Sequence, residues 1–168
     1  MHRISFFNAL IATASATILV RDDFSISGNL VGSTPDVGGN WAAHSGTTGP
    51  VVVSQGAITV SSAAAEDVNS AFTPAVTAGS VYAGMDINYA TPSSTTAGTG
   101  TYFTHFNSGT FVCRVFPTGH TSTTYKLAIS AAGTEVTTAT AENLAYSTTY
   151  RLVYSFDTVT DKCSLWVN

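Results

Sequence analysis

The chain has 168 residues and a formal net charge of −4, and only 10% of its residues are charged, against roughly 25% in typical soluble domains. Because 44% of the residues are hydrophobic, the chain can form a substantial core. Because so few residues are charged, the polar surface must consist mainly of Ser, Thr, Asn and Gly. The six basic residues are scattered along the chain, which argues against a nucleic-acid partner.

Residues 1–16 predict a secretory signal peptide. His2 and Arg3 give a short positive start, the stretch Ile4 to Ala12 is largely apolar, and small residues precede a cleavage point after Ala16. Cleavage there would make Thr17 the first residue of an extracellular or cell-surface protein. The alternative is a buried N-terminal helix or strand. The apolar stretch is too short and too interrupted for a transmembrane helix, so no membrane span is predicted.

Apolar and polar residues alternate along most of the remaining chain, and no sustained helical period is present. This pattern predicts about ten short strands separated by turn residues. The clearest predicted strands are 51–53 and 57–61, which form a hairpin, and 80–90, 125–130, 148–157 and 162–167, and a further strand is predicted at Thr17 to Phe24. Alternation predicts one core face on each of the last four strands of this first group. These faces consist of Val81, Ala83, Met85, Ile87 and Tyr89, of Tyr125, Leu127 and Ile129, of Tyr150, Leu152, Tyr154 and Phe156, and of Cys163, Leu165 and Val167. Residues 17–168 are therefore predicted to form one all-β domain, a two-sheet antiparallel β-sandwich of the jelly-roll kind.

A central β-hairpin is predicted from Thr101 to Pro117, with its turn in the segment Asn107 to Thr110. A two-residue and a four-residue turn both place Phe106 opposite Phe111, and Thr104 then faces Cys113. Side chains alternate between the faces of a strand, which predicts two sets. The core set is Tyr102, Thr104, Phe106, Phe111, Cys113 and Val115, and the opposite set is Phe103, His105, Val112, Arg114 and Phe116.

The two cysteines, Cys113 and Cys163, both fall at core-facing positions of their predicted strands. Export would permit a disulfide between them. The alternative is two small buried side chains, because nothing in the sequence fixes the distance between them.

Eight segments in order carry a resemblance to a known group: DDFS, GGNWAAHSG, VYAGMDINY, TYFTHF, FVCRVF, YKLAIS, TTYRLVYSFD and SLWVN. Together they resemble the concanavalin A-like (laminin-G-like) jelly-roll modules of secreted bacterial surface proteins of the planctomycete type. Such modules often bind glycans or act in adhesion, which implies a similar non-catalytic role here. In such proteins a further strand usually follows the tryptophan-containing strand. The sequence stops at Asn168, so the resemblance implies a truncated module without that strand.

Catalytic carboxylates of the glycosidase kind are not evident. Enzymes on this fold carry two or three carboxylates along one strand face, because an acid and a nucleophile must flank one bond. Asp86 is alone on its strand, and adjacent pairs such as Glu66-Asp67 point to opposite faces. The prediction is therefore a protein that is not an enzyme. A purely structural domain and a polysaccharide-active enzyme are the alternatives.

Calcium is a cofactor that the resemblance to lectin-like jelly rolls implies, since hard cations take oxygen ligands. Asp22, Asp23 and Asp157 are the candidate ligands by their positions. The alternative is that these carboxylates are solvated turn residues or caps.

A candidate ligand-binding face follows if strands 80–90, 101–106, 111–117 and 124–130 are neighbours in one sheet. Aromatic rings flanked by hydrogen-bonding groups suit a sugar ring, and Phe103 opposite Arg114 predicts a cation–π contact. In the alternative, loops cover this face, and Phe103 and Phe116 form a second layer of core. The predicted face consists of Tyr82, Asp86, Phe103, His105, Arg114, Phe116 and Lys126.

Overall fold

The computed structural model describes residues 16–46, 48–60, 66–92, 101–132, 138–140 and 142–168. The predicted signal peptide lies outside the described residues except for Ala16. The described part of the chain contains no helix and is all-β with antiparallel pairing, as predicted. Its strands are β1 (Gly28–Asn29), β2 (Ala42–Ser45), β3 (Val52–Ser54), β4 (Ala57–Ile58), β5 (Asp67–Asn69), β6 (Ser80–Asn88), β7 (Thr104–Asn107), β8 (Phe111–Thr118), β9 (Thr124–Ala132), β10 (Thr138–Ala139), β11 (Leu144–Ala145), β12 (Thr149–Asp157) and β13 (Lys162–Val167).

Two larger sheets enclose the main core. The first sheet has the order β10-β9-β8-β7, with β11 also paired to β9, and the second sheet has the order β13-β12-β6. Their apolar faces pack together, so the architecture is sandwich-like, and the core faces predicted for the strands at 80–90, 125–130, 148–157 and 162–167 are confirmed. The buried residues of this core are Val81, Phe106, Val112, Cys113, Val115, Tyr125, Leu127, Leu144, Tyr146, Leu152, Tyr154 and Phe156.

The N-terminal part forms two small sheets, β1-β3-β4 and β2-β5, around a separate small core of Leu30, Val51 and Val53. The hairpin predicted between the segments at 51–53 and 57–61 is confirmed as β3 and β4. Its two-residue turn has positive φ at Gln55 and Gly56, a conformation that suits the twist of a hairpin.

The strand predicted at Thr17 to Phe24 is wrong, because this segment forms only an isolated bridge between Arg21 and Val37. The carboxylate of Asp22 accepts a hydrogen bond from the backbone N–H of Phe24, two residues ahead. Asp23 does the same with the N–H of Ser25. These contacts stabilise turns instead of a strand.

The predicted register of the central hairpin is also wrong. The turn has three residues, so Asn107 faces Phe111 and Phe106 faces Val112. Because the turn has an odd number of residues, the start of β8 pairs with β7 one residue away from its predicted register. Phe111 therefore points away from the main core and Val112 points into it.

A β-bulge at Cys113 then restores the predicted alternation in the rest of β8. The φ of Cys113 is 53°, and Cys113 and Arg114 together lie opposite His105, so Thr104 faces Val115 and not Cys113. As a result the consecutive residues Val112 and Cys113 both lie in the main core.

A disulfide joins Cys113 on β8 to Cys163 on β13. The Cα atoms lie 5.4 Å apart, and the bond connects the first sheet to the second. Of the two possibilities that the sequence left open, a disulfide and two separate buried side chains, the structure contains the disulfide.

Replacing both cysteines by alanine is expected to lower the free energy of unfolding by about 4 kcal/mol, because the bond closes a long loop in the unfolded chain. Urea titration followed by tryptophan fluorescence measures the difference. As a control, a reductant should destabilise the wild-type protein and leave the double variant unchanged. Equal stability of the oxidised wild type and the variant would contradict a stabilising bond.

Two buried tyrosines in the main core differ in their hydrogen bonding. The hydroxyl of Tyr154, on the second sheet, lies 2.8 Å from Oγ1 of Thr104 on the first sheet. The hydroxyl of Tyr125 is buried, and no group of the described residues forms a hydrogen bond with it. Burial raises the pKa of each phenol to about 12, so both are neutral at pH 7. The phenols of the unfolded chain ionise near pH 10, so the free energy of unfolding does not depend on these two groups below about pH 10 and falls as the pH rises towards 12.

Phenylalanine substitutions should therefore have opposite effects at these two positions. At pH 7, Tyr154→Phe should lower the free energy of unfolding by about 1 kcal/mol, because it removes a hydrogen bond. Tyr125→Phe should raise it by about 1 kcal/mol, because it removes an unsatisfied buried hydroxyl. Urea unfolding of both variants and the wild type in one buffer measures this. Changes of the same sign would show that the two hydroxyls are not in the different environments described.

Candidate functional site

The seven residues predicted as one ligand-binding face lie on two different sheets. β6, which carries Tyr82 and Asp86, belongs to the second sheet and pairs with β12. The assumption that the strand at 80–90 neighbours the central hairpin is therefore wrong. The remaining members, on or beside the first sheet, are Phe103, His105, Arg114, Phe116 and Lys126.

Much of the first sheet is covered on the face that points away from the main core. Phe116 is only 5% exposed, and its neighbours Ala128 and Ser130 on β9 are also buried. Phe103 packs against the main core instead of sharing a face with Arg114. Lys126 is half-buried on β9, opposite Thr118. This geometry corresponds to the alternative in which Phe103 and Phe116 add to the packed interior.

The predicted cation–π contact between Phe103 and Arg114 is wrong, and Arg114 instead contacts two other rings. Its guanidinium carbon lies 4.9 Å from the ring centroid of Tyr102 and 5.3 Å from that of Phe111. Both rings were predicted to face the core. The three-residue turn places Phe111 on the face of the first sheet that points away from the main core, where Arg114 also lies. We call the group Tyr102, His105, Phe111 and Arg114 the arginine cluster.

The arginine cluster also contacts the N-terminal part of the chain. The ring of Phe111 lies 4.2 Å from His105 and 5.1 Å from His44 on β2, measured between centroids. Nδ1 of His105 donates a hydrogen bond to the carbonyl oxygen of Phe106, at 3.0 Å. Burial lowers the pKa of His105, and the nearby His44 and Arg114 lower it further, so this imidazole is neutral at pH 7. The cluster thus has the features of a packing contact between β2 and the first sheet.

The second sheet presents a different surface, the face of β6, β12 and β13 that points away from the main core. We call it the outer platform and define it by Tyr82, Gly84, Asp86, Arg151, Val153 and Trp166. Tyr82 is 63% exposed and Trp166 is 52% exposed, although both are large aromatic residues. Exposed aromatic pairs are uncommon on a surface without a partner.

The rings of Tyr82 and Trp166 lie close together over the central strand, β12. Their centroids are 6.4 Å apart, and their planes differ by 28°. Strands two apart in a sheet are separated by about 9–10 Å, so both rings must lean over β12. Ser155, which lies opposite Tyr82 on β12, is buried. Together the two exposed rings form an aromatic surface above β12.

An ion pair borders this aromatic surface. Asp86 lies directly opposite Arg151, and the carboxylate accepts two contacts from the guanidinium, at 2.6 Å from Nε and 3.0 Å from Nη2. Both side chains are more than half exposed. Two positions further along the register, on the same face, Nδ2 of Asn88 donates a hydrogen bond to Oγ1 of Thr149, at 3.3 Å. Hydrogen-bonding groups therefore line one side of the two rings.

Sequence reasoning included Tyr82 and Asp86 but missed Trp166 and Arg151. The available signal was side-chain alternation. A core face of Cys163, Leu165 and Val167 leaves Trp166 pointing outwards, and the alternation of β12 does the same for Arg151. What the sequence did not reveal is that these outward positions adjoin β6 in one sheet.

The three candidate calcium ligands each serve a local turn or contact. The carboxylate of Asp22 accepts hydrogen bonds from Phe24 N–H and from the indole N–H of Trp41, at 2.7 Å each. Asp157 accepts from the N–H groups of Val159 and Thr160, and these bonds lower the pKa of its carboxyl. In the part of the chain that the structure describes, no three His, Cys, Asp or Glu side chains form a group able to hold a metal. Calcium binding by Asp22, Asp23 and Asp157 stays a prediction.

Comparisons of this chain with protein-family models, with curated proteins and with solved structures find no match. The described residues also include no helix of the length and apolarity needed to cross a bilayer.

The ion pair between Asp86 and Arg151 is expected to add little to stability, because both groups are exposed to solvent. In a double-mutant cycle of Asp86→Ala and Arg151→Ala, the coupling free energy should be below about 1 kcal/mol. Urea unfolding of the wild type, the two single variants and the double variant measures it. A coupling of several kcal/mol would show that the pair is a structural element.

Proposed function

We propose that this protein is an exported, non-catalytic module that binds a glycan or another cell-surface component. The observation that carries the proposal is the pair of exposed, nearly parallel rings of Tyr82 and Trp166. In this proposal the two larger sheets are the layers of a concanavalin A-like jelly roll, as the sequence resemblance implies.

The outer platform has the chemistry that a sugar requires. The C–H groups on a pyranose face are weakly positive and pack favourably on the negative face of an aromatic ring. The hydroxyl groups of the sugar need donors and acceptors, which Arg151 and Asp86 offer next to the rings. Both rings are held by strands of one sheet, so the surface is already formed before any ligand arrives.

Export is supported by the disulfide and by composition. Disulfides persist in oxidising compartments, and the bond between Cys113 and Cys163 fits a protein that leaves the cytosol. The low charge and the residues before Thr17 support the same proposal.

A non-catalytic role is supported by the contacts of the acidic side chains. Both carboxylate oxygens of Asp86 on the outer platform contact the guanidinium of Arg151, which leaves them less available to a glycosidic bond. Asp22 and Asp157 accept backbone hydrogen bonds in turns.

A polysaccharide microarray probed with the full, oxidised chain tests this proposal. We expect retention on at least one glycan, without release of new reducing ends after prolonged incubation. Absence of binding to every glycan would reject the glycan-binding function and favour a structural domain. Release of reducing ends would reject the non-catalytic role. Heat-unfolded protein is the matched control for non-specific adsorption.

A further inference from the structure

We infer that the outer platform is the binding site and that its ligand is an uncharged polysaccharide lying across β6, β12 and β13. This inference rests on the proposed function and adds the location of the site and the chemical class of the ligand. The sugar rings would stack on Tyr82 and Trp166, and their hydroxyls would bond to Asp86 and Arg151.

The direction of the ligand follows from the positions of the two rings. Tyr82 lies on β6 and Trp166 on β13, which are the two strands on either side of β12. A line that joins the rings therefore crosses the strands. The two centroids lie 6.4 Å apart over the central strand, so a ligand that places one sugar on each ring, an extended chain of sugars, fits better than a single residue.

At one position beside the two rings, the outer platform carries no side chain. Gly84 has no side chain and lies opposite Val153, which in turn lies opposite Trp166. A Cβ added at Gly84 would lie 3.8 Å from both the Leu152 carbonyl oxygen and the Val153 side chain, which is ordinary contact. A Cβ can thus be added here without a clash, and the further atoms of a larger side chain would extend outwards beside the rings.

The charges of this face cancel in pairs. The guanidinium of Arg151 contacts the carboxylate of Asp86. At the opposite end of the same face, Asp157 lies directly opposite Lys162. With one positive and one negative group at each end, the platform offers no net charge to an anionic polymer. An uncharged polysaccharide, recognised by stacking and neutral hydrogen bonding, is the ligand class that fits.

Affinity electrophoresis of the full chain in gels that contain a soluble polysaccharide tests the inference. Uncharged glucans, xylans and mannans are compared with alginate and dextran sulfate. We expect retardation by an uncharged polysaccharide that added sodium chloride does not abolish. Retardation only by the anionic polymers, lost on adding salt, would overturn the ligand class and leave glycan binding itself intact.

Single substitutions on the outer platform test whether it is the binding site. Trp166→Ala and Tyr82→Ala should each weaken binding by about tenfold, because each removes one stacking surface. Gly84→Val should also weaken it by obstructing the platform, and it should not destabilise a strand in which glycine is unfavourable. The matched control is Val159→Ala in the turn after β12, an apolar residue that is 74% exposed, and its binding should equal that of the wild type.

A spectroscopic readout separates a binding role from a structural one. The chain has two tryptophans, and the half-buried Trp41 is bonded to Asp22, so exposed indole fluorescence comes from Trp166. The ligand should protect the wild-type fluorescence from acrylamide quenching and leave the Trp166→Ala variant unaffected. Wild-type affinity in Trp166→Ala, Tyr82→Ala and Gly84→Val would overturn the proposed site while the glycan-binding function stands. Absence of binding by the wild type to every polysaccharide would reject both.

Discussion

The structure depends on the burial of two apolar sheet faces against each other. Leu152 and Tyr154 of β12 pack against Val115 and Leu127 of the first sheet, and these residues are almost fully buried. Burial of each large apolar side chain contributes about 1.5–3 kcal/mol, which makes this contact the main source of stability. The bond between Cys113 and Cys163 and the contact between Thr104 and Tyr154 join the same two sheets at further points.

The same alternation that builds the core also assigns residues to the outer surface. On β12, Leu152 and Tyr154 point inwards, so Arg151 and Val153 must point outwards. The outer platform is in this sense a consequence of the core, because a slip of one residue in β12 would exchange the two sets. The fixed register with β6 and β13 therefore also fixes the relative positions of Tyr82, Trp166 and the ion pair.

Alternation allowed the all-β class and most core faces to be predicted from the sequence, because these depend on local patterns. The hairpin register depended on whether the turn at Ser108 to Thr110 had an odd or even number of residues, and turn residues alone do not decide that. The bulge at Cys113 has no distinctive sequence signal, since cysteine rarely adopts a positive φ. The sheet partner of β6 is non-local, as Asp86 and Arg151 are 65 residues apart. For that reason Tyr82 and Asp86 of the outer platform were predicted from the sequence, whereas Arg151 and Trp166 were not.

The disulfide has a mechanical consequence when the chain is stretched. Tension applied to the two ends of the chain can straighten only the residues outside the covalent loop that Cys113 and Cys163 close. The strands β9 and β12 lie inside that loop and stay shielded from the pulling force as long as the bond is intact. In contrast, β6 and the end of β13 carry the load, so the two rings of the outer platform would be separated early when the module is stretched.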